Sequence, residues 1–232
     1  NYSRDSYLFL GDLQTAITKK LFDSGIKTSS LDSRIILKEV FCFDEKELIL
    51  NSQSIVNKNK ISEVYKILAR RISGEPVSKI FGKRDFYEST FFISENVLDP
   101  RPETELIIEI ANNFILDKRY KNFIDLGTGS GCIILSILKD NKSLRALGID
   151  ISHKAINIAQ KNCSNLNLEK QATFLVSNWL SKVSDSYDLI ISNPPYIRSK
   201  DIDTLSGSVK NYDPLVSLDG GEDGLKCYRE IA

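Results

Sequence analysis

The sequence predicts an α/β fold, in which a mostly parallel sheet covered by helices follows a small helical bundle and a β-hairpin. Three observations support this prediction. Apolar residues recur at helical spacing through the first 75 residues, and the stretch from Asp85 to Ser94 is aromatic and β-branched, as in a hairpin. From Phe123 onwards, short and nearly continuous apolar runs alternate with helical segments. Such runs are typical of strands in a parallel sheet that is buried on both faces.

Four helices are predicted in the N-terminal part of the chain. The first covers Tyr7–Ser24 and ends at Gly25, a residue type that commonly follows a helix. Ser30 is expected to cap the second helix, and the Asp44-x-x-Glu47 pattern predicts a capping box at a short third helix. The fourth helix is predicted over Asn57–Ser73. Together these segments predict a small bundle.

The hairpin is predicted to turn at the polar pair Glu88-Ser89. Pro102 suits the first position of the next helix, where Glu103 and Glu105 complement the positive end of the helix dipole. The later elements are predicted as strand Phe123–Leu126, helix Gly131–Leu138, strand Ala146–Asp150, helix His153–Cys163, strands Thr173–Val176 and Tyr187–Ser192, and helix Gly224–Ala232.

These elements divide the chain into a helical domain at residues 1–75, a hairpin linker at residues 76–98 and an α/β domain at residues 99–232. Only four of the main-sheet strands precede residue 193, and the last predicted helix reaches Ala232. A sheet that stops there leaves the backbone groups of one edge unpaired. We therefore expect the α/β domain to be truncated and the natural chain to continue beyond Ala232.

The composition shows a substantial apolar content and no charge excess. The 232 residues are 41% apolar, and 31 basic residues balance 31 acidic ones. A zero net charge argues against a protein that wraps nucleic acid, so no stable nucleic acid binding is expected. The sequence has no apolar run of about 18 residues and no charged-then-apolar leader, which predicts a cytoplasmic protein without a membrane segment.

Cysteine and histidine provide no sign of a metal site. The four cysteines, Cys42, Cys132, Cys163 and Cys227, lie far apart and form no Cys-x-x-Cys pair. Buried, reduced thiols are therefore expected rather than disulfides or metal ligands. His153 is the only histidine, and its place in the first turn of a predicted helix indicates a solvated residue rather than a catalyst.

Gly127, Gly129 and Gly131 form a loop between a strand and a helix, in the stretch FIDLGTGSGCIILSIL. In a doubly wound sheet the ligand lies beyond the carboxyl ends of the strands, where glycine lets the backbone approach it closely. The spacing differs from the Gly-x-Gly-x-x-Gly pattern of dinucleotide binders. The alternative is that these glycines serve only the tight turn from strand to helix.

Asp150 provides a second signal, because it ends the strand LGID 23 residues after Gly127. A carboxylate at such a strand end can accept hydrogen bonds from both ribose hydroxyls of a nucleoside cofactor. The alternative, a helix-capping aspartate, is weaker because Ser152 is well placed to cap the next helix. The loop and Asp150 together fit S-adenosylmethionine, a nucleoside without a pyrophosphate, better than a dinucleotide.

The stretch DLIISNPPYI ends a predicted strand with the corner Asn193-Pro194-Pro195-Tyr196. Neither proline can donate to a sheet ladder, so the strand stops at a rigid corner. The Asn193 side-chain oxygen and the Pro194 carbonyl can accept both hydrogens of one planar NH2 group, and Tyr196 offers a flat face for stacking. Such a corner suits methylation of an NH2 nitrogen whose lone pair is delocalised. The alternative is a proline-rich turn that only ends a core strand.

Several stretches resemble the release factor glutamine methyltransferases, the HemK/PrmC family of Rossmann-like methyltransferases that use S-adenosylmethionine. They are GEPVSKIFGKRDFY, DPRPETE, DLGTGSG, ISNPPYI and YDPLVSLDGGEDGL. The corner alone also occurs in DNA and RNA methyltransferases. The stretches Arg101–Glu105 and Gly220–Gly224 narrow the resemblance to the release factor glutamine methyltransferases. The helical N-terminal part and the hairpin fit the family's layout, so the resemblance covers nearly the whole chain.

This resemblance implies methyl transfer to the side-chain amide of the glutamine in the Gly-Gly-Gln loop of peptide chain release factors. The residues implied to bind the cofactor are Gly127, Thr128, Gly129, Ser130 and Gly131 at the methionine part, Asp150 at the ribose, Trp179 at the adenine, and Asn193. The residues implied to hold the glutamine amide are Asn193, Pro194, Pro195 and Tyr196, of which Asn193, Pro194 and Tyr196 would be catalytic.

Two positions depart from the family pattern. Asn178 stands where an acidic residue that contacts adenine is expected before Trp179, and Asp99 replaces the usual apolar residue before Pro100. The helical domain is expected to bind the release factor, and the alternative is that it only supports the catalytic domain.

Two other functions are compatible with parts of the sequence. A methyltransferase for an exocyclic amine of an RNA or DNA base would share the corner, but the neutral charge and the lack of an obvious base-recognition domain argue against it. A non-enzymatic binding module with a vestigial cofactor site would have no need for intact glycines, Asp150 and the corner together.

Overall fold

A computed structural model describes residues 8–232 of the chain. The described chain divides into two compact units, of which the first ends at Phe81 and the second covers Gly82–Ala232. Tyr7, where the first helix is predicted to begin, lies outside the described residues. Between residues 8 and 232, no helix is both long enough and apolar enough to cross a bilayer.

The first unit is helical, as predicted. Its helices are α1 (Leu10–Asp23), α2 (Ser29–Phe41), α3 (Glu45–Leu50), α4 (Lys58–Ile72) and α5 (Val77–Phe81). They enclose one apolar core, in which Leu13, Ile17, Leu37, Val64 and Leu68 are almost fully buried. Because the buried residues of α1 and α4 recur every three or four positions, each helix turns one apolar face towards this core.

The helix ends confirm one prediction and correct another. Asp44 and Glu47 form the predicted capping box at α3, with both reciprocal hydrogen bonds present. Asn57 caps α4 by accepting a hydrogen bond from the backbone N–H two residues later. The prediction that Ser30 caps α2 is wrong, because the helix already begins at Ser29 and Ser30 lies within its first turn. Helix α5 is absent from the prediction, since five residues are too few to show a helical period.

The second unit begins with a hairpin of β1 (Lys83–Phe86) and β2 (Ser89–Phe92). Its turn consists of Tyr87 and Glu88, one residue earlier than predicted, because Ser89 is paired within the strand. Tyr87 has a left-handed backbone with a φ of 50°, which is typical of the turn in a two-residue hairpin.

The main sheet of this unit is parallel and four-stranded, in the order β5-β4-β3-β6, which confirms the predicted fold class. The strands are β3 (Asn122–Leu126), β4 (Arg145–Asp150), β5 (Ala172–Val176) and β6 (Leu189–Ser192). The helices are α6 (Glu105–Lys118), α7 (Cys132–Asp140), α8 (His153–Asn165), α9 (Gly207–Lys210) and α10 (Lys226–Ile231), with 3-10 turns at Pro102–Thr104, Ser199–Thr204 and Leu215–Ser217.

Several boundaries in this unit differ from the prediction by one or two residues, and two of these differences have a local cause. Strand β6 begins at Leu189 rather than Tyr187, because the Asp188 side chain accepts hydrogen bonds from the backbone at the start of β3. Helix α10 begins at Lys226 rather than Gly224, since the residues just before it form a turn. Both differences lie at element ends, where local side-chain hydrogen bonds compete with the regular pattern.

Candidate active site

Four segments selected from the sequence meet at the carboxyl ends of the sheet strands. The glycine loop follows β3, Asp150 ends β4, Trp179 follows β5 and Asn193 follows β6. Because these strands are parallel and adjacent, their carboxyl ends share one edge of the sheet. Ligands bind at this edge in open α/β sheets. The fold therefore brings the predicted site residues together.

A cavity of about 730 Å³ lies at this edge, and we call it the larger cavity. Five of the predicted cofactor-binding residues line it, namely Gly127, Gly129, Asp150, Trp179 and Asn193. Its volume falls within the range of roughly 300–1,000 Å³ that is usual for small-molecule sites.

The glycine loop has a left-handed backbone at each glycine. The φ angle is 76° at Gly127, 57° at Gly129 and 78° at Gly131, values that residues with a side chain rarely adopt. Thr128 and Ser130 are buried and do not line the larger cavity, and neither does Gly131, which directly precedes α7. The loop thus presents only glycine backbone to the cavity and turns its two side chains into the protein.

Asp125, a fully buried residue near the end of β3, holds this loop in place through its side chain. The Thr128 hydroxyl donates a hydrogen bond of 2.7 Å to Asp125 Oδ2. Burial raises the pKa of Asp125 to about 7; the negative charge of Asp150 adds to the rise, and the hydrogen bond from Thr128 opposes it. The Asp125 carboxyl group therefore exchanges its proton near neutral pH.

Asp150 is held in place by the backbone around it. Its Oδ2 accepts from the Gly129 N–H at 2.9 Å, and its Oδ1 accepts from the Ser152 N–H at 2.8 Å. Burial raises the pKa of Asp150 above its ordinary value, and these backbone hydrogen bonds oppose the rise. A carboxylate has about four lone-pair sites, so it can still accept from two further donors such as ribose hydroxyls. Ser152 caps α8, as predicted.

Trp179 lies beside the glycine loop, with its Cζ3 atom 3.7 Å from the point that a Cβ on Gly127 would occupy. Its indole N–H donates to Glu230 on α10 at 2.7 Å, and both Glu230 and Asn178 line the larger cavity. The sequence carries no signal for Glu230, because it lies 51 residues from Trp179. Side-chain-free glycine backbone, a carboxylate and an aromatic ring are together suited to a nucleoside cofactor such as S-adenosylmethionine.

A smaller cavity of about 390 Å³ shares three lining residues with the larger one, namely Leu98, Asn193 and Ser217. Pro194 and Tyr196 line the smaller cavity, whereas Pro195 lines the larger one. The structure therefore divides the predicted substrate corner between two cavities, and Asn193 lies where they meet.

The corner presents two hydrogen-bond acceptors. Asn193 Nδ2 donates to Thr104 Oγ1 at 3.5 Å, which leaves Oδ1 as the acceptor of this side chain. Across residues 8–232, no group donates a hydrogen bond to Asn193 Oδ1 or to the Pro194 carbonyl. Two adjacent acceptors can receive the two hydrogens of an NH2 group.

Gly220 and Gly224, which are not among the predicted site residues, pack against the backbone of the corner. A Cβ on Gly220 would lie 2.8 Å from Tyr196 Cα, and one on Gly224 would lie 2.5 Å from the Tyr196 carbonyl oxygen. The Gly220 N–H donates to the Ile197 carbonyl at 2.8 Å, and the Ile197 N–H donates to the Leu218 carbonyl at 3.1 Å. The repeated glycines of the stretch DGGEDGL were the available signal for this close approach.

Asp99, which departs from the family pattern, has ionic and hydrogen-bonding partners in the structure. It is buried, and its Oδ1 lies 3.6 Å from Arg84 Nε. Its backbone N–H donates to Asp213 Oδ1 at 3.1 Å. The carboxylate at position 99 thus gives Arg84 a partner of opposite charge.

The cysteines are all free thiols, and three of them are buried as expected. Cys42 is exposed, contrary to the prediction, because it lies just past the end of α2 in a left-handed conformation. His153 is exposed at the start of α8, as predicted. Over residues 8–232, no cluster of three or more His, Cys, Asp or Glu side chains is arranged to hold a metal ion.

Comparison with known proteins points in one direction. Residues 12–82 match the family model "PrmC N-terminal domain", and residues 93–208 match "Methyltransferase small domain". The chain is 38% identical to a release factor glutamine methyltransferase of Caulobacter vibrioides, over 94% of this chain and 76% of the relative. It is also 38% identical to one of Rhodospirillum rubrum, over 99% of this chain and 70% of the relative.

A solved structure, the hMettl16 catalytic domain in complex with the MAT2A 3'UTR hairpin 6, aligns with a TM-score of 0.51. It covers 71% of this chain and 61% of its own at 19% identity, which supports the fold alone. The sequence relatives carry the family assignment, because they are far more similar and extend over nearly the whole chain. The chain belongs to the family of release factor glutamine methyltransferases.

Proposed function

We propose that this chain transfers a methyl group from S-adenosylmethionine to the side-chain amide nitrogen of the glutamine in the Gly-Gly-Gln motif of peptide chain release factors. The names of its relatives support this substrate. The observation that carries the proposal is the place of Asn193, which lines both cavities and keeps its Oδ1 available as an acceptor.

The larger cavity would hold the cofactor. Gly127 and Gly129 would contact its methionine part, Asp150 its ribose hydroxyls, and the Trp179 ring its adenine. Thr128, Ser130 and Gly131 would act indirectly, by keeping the loop in its left-handed shape. When bound, S-adenosylmethionine supplies an electrophilic methyl group on a sulfonium.

The smaller cavity would hold the glutamine. Asn193 Oδ1 and the Pro194 carbonyl would accept the two N–H groups of the substrate amide, and Tyr196 would cover its planar face. The two hydrogen bonds raise the electron density on a nitrogen whose lone pair is otherwise delocalised. They also orient it, and correct orientation contributes up to about 7–11 kcal/mol to lowering a barrier of this kind. No base is needed before the attack, since the proton can leave to solvent afterwards.

The helical part of the chain, residues 1–75, would bind the release factor, with residues 76–98 as the linker to the catalytic domain at residues 99–232. A release factor acts during translation, so we place the reaction in the cytoplasm.

The test uses labelled S-adenosylmethionine with purified release factor, total RNA and DNA in parallel reactions, followed by mass spectrometry of digested products. We expect label on the Gly-Gly-Gln glutamine and none on nucleic acid. Label only on an exocyclic amine of a base would replace this proposal with the nucleic acid methyltransferase alternative. Binding of S-adenosylhomocysteine, measured by calorimetry, tests the cofactor site separately from the substrate.

A further inference from the structure

Arg101 lies on the wall of the smaller cavity, together with Asn193, Pro194 and Tyr196. Its side chain is 37% exposed, and its Nη2 donates to Asp213 Oδ2 at 2.6 Å. Arg101 does not line the larger cavity. Its charge therefore belongs to the proposed substrate side of the site rather than to the cofactor side.

Asp213 is a buried anchor for this arginine. Its side chain is only 1% exposed, and its second oxygen accepts the backbone N–H of Asp99 at 3.1 Å. One carboxylate thus holds the chain on both sides of Pro100. A guanidinium that is fixed by a buried carboxylate loses little further conformational freedom when it binds a ligand.

Most N–H groups of Arg101 have no acceptor among residues 8–232. A guanidinium carries five N–H groups, and the described part of the chain supplies Arg101 with a single side-chain partner, Asp213. The remaining N–H groups of Arg101 are carried by a side chain that lines the smaller cavity. Such a rigid set of donors suits carbonyl or carboxylate oxygen atoms.

The surroundings favour a neutral acceptor over an anion. Asp213 already balances the charge of Arg101, and Glu103 lines the same cavity. Other lining residues, including Leu98, Ile107 and Val209, are apolar. A phosphate or carboxylate would therefore meet no excess positive charge there, whereas a peptide carbonyl needs only the donors.

We propose that Arg101 binds main-chain carbonyl oxygens of the peptide segment that carries the reacting glutamine. This inference rests on the proposed function and deepens it. Arg101 would hold the backbone of the substrate, while Asn193 and Pro194 hold the amide. Asp213 would act as a positioning residue for Arg101.

The test is steady-state kinetics of Arg101→Met with the release factor as substrate. We expect KM for the release factor to rise about tenfold or more, because hydrogen bonds to a charged donor are lost. Turnover at saturation is expected to stay within about threefold of the wild-type value, because a contact that is equally strong in the bound substrate and in the transition state affects KM alone. The affinity for S-adenosylhomocysteine should stay within about twofold of the wild-type value, because the cofactor does not contact Arg101 in this proposal. Arg145→Met, at the start of β4 and remote from both cavities, is the matched control and should leave all three values unchanged.

Arg101→Lys guards against a folding defect, because it keeps a cation beside buried Asp213 but removes the planar fork. We expect it to raise KM for the release factor severalfold without shifting the unfolding midpoint. An unchanged KM in both Arg101 variants, or a fall in turnover alone, overturns the inference. Failure of the wild-type chain to methylate the release factor would instead overturn the proposed function, so the two failures are distinguishable.

Discussion

At the residue scale, turnover is expected to depend most on Asn193. Asn193→Ala removes one preorganised acceptor, and such a loss costs about 100-fold or more in turnover. Cofactor binding should be nearly unaffected, because the glycine loop, Asp150 and Trp179 remain. Single-turnover kinetics and calorimetry with S-adenosylhomocysteine measure the two effects separately.

Asn113→Ala is the matched control for this substitution. Asn113 is exposed on α6 and lines neither cavity, so its replacement should leave turnover unchanged. A loss of less than about threefold for Asn193→Ala, which is too small for a preorganised hydrogen bond, would remove Asn193 from the catalytic role.

Asp125 makes a prediction about stability and pH. Its pKa is raised to about 7 in the folded chain, above the ordinary value of 3.8, so the folded state holds the proton more tightly than the unfolded state. Its contribution to stability is therefore fully present below about pH 4 and is lost as the pH rises towards 7. Between pH 5 and pH 8, the wild type should lose roughly 1–3 kcal/mol more stability than Asp125→Asn does.

Urea unfolding followed by the fluorescence of Trp179, the only tryptophan, measures this difference within the second unit. Asn in place of Asp125 can still accept from Thr128, so the loop anchor is retained. If the stability of the wild type and that of Asp125→Asn change with pH in the same way, the pKa of Asp125 is the same in the folded and unfolded states and the prediction is wrong.

At the element scale, the segment Gly220–Gly224 supports the corner through close backbone packing. Gly220→Ala would place a Cβ 2.8 Å from Tyr196 Cα and 2.9 Å from the Pro195 carbonyl oxygen, so the corner or the glycine segment that supports it has to move. We expect kcat/KM for the release factor to fall about tenfold or more, because small displacements of positioned groups are costly.

The control for this substitution is Gly207→Ala at the start of α9. A Cβ there would meet only Asn211 Nδ2, at an ordinary 3.7 Å. Neither glycine has a left-handed φ, so both substitutions test space rather than backbone strain. Equal activity of the two variants would show that the glycine segment does not position the corner.

At the scale of the whole molecule, the two units have separate cores. Leu37→Ala creates a cavity in the core of the first unit and should cost about 2–5 kcal/mol of its stability. The loss of helix, monitored by circular dichroism, should then begin at a lower urea concentration than in the wild type. The unfolding transition seen by Trp179 fluorescence and the affinity for S-adenosylhomocysteine should stay unchanged. A matching shift of the Trp179 transition would show that the two units unfold as one.

Much of the fold could be predicted because its causes are local. The capping box at Asp44 and Glu47, the cap at Ser152 and the end of β6 before two prolines depend on residues within a few positions of each other. The misplaced cap at Ser30 and the early turn of the hairpin show the limit, since several neighbouring residues suit the same role there.

The sequence by itself determined the alternation of strands and helices and the polar residues at the strand ends, because periodicity and turn chemistry act over a few residues. Only the tertiary structure decided which cavity each corner residue lines, that Glu230 meets Trp179, and that Asp213 anchors Arg101 from 112 residues away. Such pairings depend on the path of the chain between two distant segments and on the packing of buried groups. Neither the path nor the packing produces a periodic pattern that can be recognised in the sequence.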